Sequence, residues 1–187
     1  MAITPSAMLA LGTPCPDFNL PDTDGHLIGP HDFSVKQPLL VMFICNHCPY
    51  VKHIRAALAV FGRDYAKHIS IIAINANDAE AYPDDSPEKM VIEKREAGYI
   101  FPYLYDESQN VAKAFNATCT PEFYLFDNKR KLVYRGQFDD SRPGNGKPIL
   151  GNDLRAAVDA VLNGQPIHFH QKPSVGCSIK WKPETTT

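Results

Sequence analysis

Apolar residues cluster along this chain in two ways. PLLVMFIC (38–45) and SIIAIN (70–75) run apolar with no strict alternation, as a strand covered on both faces requires. Between them Val51, Ile54, Leu58, Phe61 and Tyr65 recur at three- and four-residue steps, the stripe of a helix over about 49–67. Pro49 suits the first turn of that helix, where a missing N–H costs nothing. Residues 38–75 therefore predict a βαβ unit with parallel strands and a right-handed crossover.

The pattern changes after residue 75. NANDAEAYPDDSP (75–87) is a long polar loop, and Ser86 with Pro87 forms a cap and first position for a helix reaching Ala97. A short strand is predicted at 103–105 and a helix at 108–116. EFYLF (122–126) and KLVYRG (131–136) flank DNKR as an antiparallel hairpin. A last helix covers about 153–162, with Leu154, Val158, Val161 and Leu162 on one face. Upstream, PDTDG separates short strands around Asp17–Leu20 and His26–Ile28. Beyond Gly164 the tail carries Val175, Ile179 and Trp181, too apolar for a free segment, so residues 165–187 are expected to pack onto a core of about 12–164.

Composition narrows the class. A chain of 187 residues, 44% hydrophobic, fits a single domain that buries about 70% of its unfolded surface without disulfide or metal staples. A net charge of −2 is no footprint for nucleic acid or an anionic membrane. The amino terminus lacks a basic region and an apolar stretch of signal-peptide length, and no 18-residue apolar run occurs. A cytoplasmic location is expected, where thiols are kept reduced. Cys15, Cys45, Cys48, Cys119 and Cys177 then argue against a structural disulfide framework.

The chemistry concentrates in CNHC (45–48), at the junction of the first buried strand and its helix. First-turn N–H groups have no intrahelical partner, and the helix dipole adds positive charge there. A thiolate is favoured at that point; moving a cysteine from about 8.5 to about 7 takes roughly 2 kcal/mol. Cys45 is therefore the expected nucleophile, with Cys48, one turn on, resolving the mixed disulfide. His47, between them, is placed to donate or to set positive charge against the thiolate. A zinc site would need a second donor pair at finger spacing, and none follows. Haem attachment needs a histidine where Pro49 stands. His168 and His170 have no acidic or thiol neighbours in sequence, so no metal is expected. Two idle core thiols remain the bland alternative.

A second landmark, CTPEFYLFD (119–127), sets Thr120–Pro121 just before an apolar strand, about 70 residues after the CxxC. Together with the element order, this pair of motifs resembles the thioredoxin superfamily. GTPCPDFNLPDTDG (12–25) is similar to the opening strands of the alkyl hydroperoxide reductase and thiol-specific antioxidant branch. CNHCPYVKHI, YRGQFDDSRPG and GCSIKWK resemble a peroxiredoxin-like subgroup carrying a thioredoxin-type CxxC. The resemblance implies an α/β, thioredoxin-like fold: a central mixed sheet flanked by helices, an N-terminal β-hairpin extension and a C-terminal tail. It also implies a cis Thr120–Pro121 bond, with Thr120 offering its backbone to an extended substrate.

The chain departs from the family pattern at informative places. The peroxiredoxin Pro and Thr, seven and three residues before the attacking cysteine, correspond to Val41 and Cys45 when counted from Cys48. Leu39 stands where thioredoxin has a buried carboxylate, leaving Glu122, His47 or water to move the proton. Cys119, Cys177 and Arg142 are candidate auxiliary groups, and Asn75, Asn77 and Asp78 are candidates for shaping the site. The expected function is a thiol–disulfide oxidoreductase, with a thiol peroxidase and a non-catalytic binding module as alternatives. Its partners would be a disulfide-containing protein or small thiol, disulfide or peroxide substrate, and a cellular dithiol reductant. No cofactor is expected, and oligomeric state is left open.

Overall fold

The computed structural model describes residues 3–183. Positions 184–187, included in the tail expectation, lie outside the described residues. The apolar runs form the centre of a five-stranded sheet. β1 is Ile3–Pro5, β2 Leu20–Pro21, β3 Leu27–Ile28, β4 Leu39–Phe43, β5 Ser70–Asn75, β6 Tyr103–Tyr105, β7 Cys119–Thr120, β8 Glu122–Phe126, β9 Leu132–Gly136 and β10 Val175–Ser178. The helices are α1 Pro49–Tyr65, α2 Pro87–Ala97, α3 Asn110–Ala114 and α4 Asn152–Leu162. Strand order in the main sheet is β6-β5-β4-β8-β9. β4 pairs in parallel with β5 and antiparallel with β8, so the sheet is mixed.

Every residue of β4, β5 and β8 is buried, which explains why their sequences do not alternate. Leu40 and Met42 face α1 and α4, packing with Leu58, Phe61, Leu154 and Val158. Leu39, Val41 and Phe43 face the other side, against α3 and Phe18. Helices thus cover both faces of a mixed central sheet. Ser86 caps α2 by accepting from the Lys89 N–H, and Gly98 closes that helix in the left-handed conformation at φ 72°. Among the described residues no helix is long and apolar enough to cross a membrane.

Several boundaries differ from the sequence expectation. The first hairpin strand is Leu20–Pro21 rather than Asp17–Leu20, and it pairs with Leu27–Ile28. The helix at 108–116 contracts to α3, because Gln109 and Asn116 take positive φ on either side. In α4 the buried set is Leu154, Ala157 and Val158, and Leu162 in the last turn is exposed.

A second sheet was not foreseen. β10 lies between β1 and β7, antiparallel to both, pairing Cys177 with Ile3 on one side and with Thr120 on the other. Gly176 permits this approach, because a Cβ there would overlap the Thr120 carbonyl. The strand packs against α1, and Cys177 joins the buried cluster that holds Cys45 and Cys48.

Candidate active site

β4 ends at Phe43, and the chain turns through Cys45 before α1 begins. Cys48 is the N-cap and Pro49 the first helical residue. Both sulfur-bearing residues are buried, and both meet Thr120. The Thr120 hydroxyl is 3.3 Å from the Cys45 Sγ, and the Cys48 thiol donates to the Thr120 carbonyl at 3.3 Å. The Thr120–Pro121 bond is cis. Cys45, Cys48, Thr120 and Pro121, called from well-separated motifs, are therefore brought together.

The two thiols shift in opposite directions. Cys48, as the N-cap of α1, lies nearest the positive end of the helix. The Cys48 pKa is lowered to about 5, chiefly by a hydrogen bond from Cys45, which outweighs burial; Cys177, the Val51 N–H and Thr120 add to the effect. Burial pushes Cys45 up, and its bond to Cys48 and the Asp85 charge push the same way. The bond between the two sulfurs lowers Cys48 and raises Cys45. The pair titrates as a unit, with one low and one high step.

The residue missed by sequence reading is Asp85. It is fully buried, and its carboxylate accepts from the Asn46 N–H at 2.7 Å, the Asn77 side-chain amide at 2.7 Å and the His47 Nδ1 at 2.5 Å. Burial raises the Asp85 pKa, but hydrogen bonds from His47 and Asn77 and the His47 charge carry it below the ordinary value. The same bond raises His47, against the effect of burial. Both shifts favour the charged form of the His47–Asp85 pair, whose donor atoms lie within 4.8 Å of the Cys45 sulfur. The His47 ring stacks on Tyr82, 5.5 Å between centroids. Asn75 and Asn77 tie this loop together: the Asn75 amide donates to the Asp85 carbonyl, and Asn77 accepts from the Lys180 N–H. Asp78 joins through its backbone N–H, which donates to the Lys180 carbonyl.

Other expected residues separate into two groups. Cys177, directly across from Thr120, belongs to the same buried cluster as Cys45 and Cys48. Cys119 faces away, with its sulfur 3.9 Å from Glu122. Glu122 also turns from the redox pair: it accepts from the Ser6 hydroxyl and the Thr118 and Cys119 N–H groups. Arg142 lines a small cavity with Tyr50 and Pro121, but its guanidinium is engaged by the Gln137 side chain and the Asp139 and Ser141 carbonyls. The open backbone edge expected at Thr120 is a correction: Thr120 is buried and β10 is already paired against it. For metal binding, the donor atoms of Cys45, His47 and Asp85 all lie within 4.8 Å of one another.

A buried CxxC at a helix start, facing a cis-proline loop on a mixed sheet with helices on both faces, defines a protein of thioredoxin-like fold. The AhpC/TSA family model matches residues 11–135, and the chain belongs to that family. It is similar to an uncharacterized conserved protein of Geobacillus kaustophilus, with 53% identity over 99% of each chain and a TM-score of 0.96. A hypothetical protein from Sinorhizobium meliloti matches at 53% identity over 96% of this chain and 98% of that one, with a TM-score of 0.94. The thioredoxin domain of a Bacteroides vulgatus thiol-disulfide oxidoreductase shares the fold at 19% identity, over 80% of this chain and 99% of that one, with a TM-score of 0.59. None of the curated proteins matches.

Proposed function

We propose that this chain is a thiol–disulfide oxidoreductase working through Cys45 and Cys48. The observation that carries the reading is the meeting of both sulfurs at Thr120 with one acidic thiol between them. Cys45 passes its proton to Cys48, along the hydrogen bond that already joins them, and attacks a substrate disulfide. One substrate thiolate leaves and a mixed disulfide forms on Cys45. Cys48, deprotonated in turn, attacks the Cys45 sulfur; the second substrate thiolate leaves and the Cys45–Cys48 disulfide remains. A cellular dithiol restores the pair. His47, kept charged by Asp85, favours the thiolate-bearing reduced form, which makes the pair more oxidising.

Insulin reduction in dithiothreitol tests this: wild type accelerates precipitation and Cys45→Ser does not. A Cys48→Ser variant accumulates mixed disulfide on Cys45. No acceleration by wild type, or mixed disulfide trapped on Cys48 in Cys45→Ser instead, contradicts the assignment.

A thiol peroxidase is the second reading, supported by the family match and by an acidic cysteine followed by proline at a helix start. Against it, Cys45 stands at the peroxiredoxin threonine position, and the Arg142 guanidinium is spent on Gln137, Asp139 and Ser141. Peroxide consumption with a thiol donor that survives Cys45→Ser and disappears in Cys48→Ser would favour it. Zinc bound in stoichiometric amount, with neither activity, would favour the binding module.

A further inference from the structure

An extended substrate should pair with the backbone just before Pro121, yet the chain's own β10 occupies that place. Cys177 is the β10 residue directly opposite Thr120. Thr120 touches both sulfurs of the CxxC, so its cross-strand neighbour is delivered to the same spot. In a two-residue strand, paired positions share a face. Ser178 and Cys119 therefore point to the opposite side, where Cys119 meets Glu122. The first turn of α1 adds a second observation. Pro49 has no N–H, the Lys52 N–H closes on the Cys48 carbonyl at 2.9 Å, and two first-turn donors remain. The Val51 N–H faces the Cys48 sulfur, and the Tyr50 N–H faces the Cys177 sulfur. One helix end thus serves two cysteines from distant parts of the chain.

We propose that Cys177 is a third redox thiol of this site, forming an alternative disulfide with Cys48 by exchange with the Cys45–Cys48 bond. The inference rests on the oxidoreductase reading and extends it. The Cys177 thiol gives up its proton and its sulfur attacks the Cys48 sulfur. The Cys48–Cys177 bond forms as the Cys45–Cys48 bond breaks, and Cys45 leaves as a thiolate that takes up the proton. No electron enters or leaves the protein. The oxidised chain then stores its disulfide between α1 and β10, while Cys45 is a free thiol able to engage another substrate. The strand that blocks the substrate edge thereby acts as a built-in substrate.

The experiment is disulfide mapping of the full-length chain, oxidised with diamide, acid-quenched, alkylated and digested. Wild type is expected to yield both Cys45–Cys48 and Cys48–Cys177 linked peptides. Cys45→Ser retains Cys48–Cys177, Cys177→Ser yields Cys45–Cys48 alone, and Cys119→Ser gives the wild-type map. If Cys45→Ser, folded by circular dichroism, forms no Cys48–Cys177 link and wild type forms only Cys45–Cys48, this proposal is overturned and the parent reading stands. If wild type forms no Cys45–Cys48 link, the parent reading fails; a Cys48–Cys177 link in Cys45→Ser would still support the pairing, and its absence would remove that too.

Discussion

The two sides of the short strand β7 carry the same ingredients and put them to different use. One side has Thr120 and Cys177 facing Cys45 and Cys48, with buried Asp85 nearby. The other has Cys119 against buried Glu122. Both carboxylates are fully buried, yet they move in opposite directions. Burial raises Asp85, but a charged His47 and the Asn77 amide more than reverse it. Burial raises Glu122, and the hydroxyl and amide donors around it do not reverse it. Burial alone does not set ionisation; a charged partner does.

The comparison breaks hardest at the cysteines. Replacing Cys45 or Cys48 with serine removes insulin-reducing turnover down to the uncatalysed rate, because neither half of the exchange can finish without the other. Cys119→Ala leaves turnover at the wild-type level. Removal of Asp85 comes next. Asp85→Ala strands His47 and the Asn46 and Asn77 donors, and costs about 3–5 kcal/mol in urea unfolding, as breaking a buried pair does. Glu122→Gln keeps the shape and loses one acceptor, costing about 1–3 kcal/mol.

pH sharpens the contrast. The Asp85 contribution is complete above its unfolded pKa of about 3.9 and is lost as pH falls through the lower folded value. Glu122 has the opposite sign: its contribution is complete below about 4.3 and is lost as pH rises through the higher folded value. Stability profiles of Asp85→Asn and Glu122→Gln should therefore diverge from wild type at opposite ends of the acid range. Parallel profiles would refute the assignment. The smallest effect expected is on potential. His47→Ala removes the positive charge beside the pair and lowers the reduction potential by about 30 mV for each tenfold loss of reduced-form preference. An unchanged potential would deny His47 that role.

The central sheet was legible because continuous apolar runs such as LLVMF can only be buried on both faces, and because Ser86 and Pro87 announce α2. The CxxC and Thr120–Pro121 were legible as motifs. The second sheet was not. β1, β7 and β10 are two to four residues long, and each gains its pairing from a segment remote in sequence, so no local periodicity marks them. Asp85 was hidden for a related reason. In PDDSP it is indistinguishable from Asp84, and only tertiary contact with the CNHC turn makes one buried and the other exposed. The direction of the coupling between the two thiols was not legible, because it depends on a hydrogen bond between their side chains that no local pattern specifies.

The coupling between Cys45 and Cys48 is best tested by thiolate absorbance of the fully reduced chain as a function of pH, with Cys45→Ser and Cys48→Ser alongside. Wild type should show one thiolate appearing with a midpoint of about 5, and Cys48→Ser should lack that step. A wild-type curve rising only in the range of free cysteine, about 8.5, and unaltered by Cys48→Ser, would contradict the account.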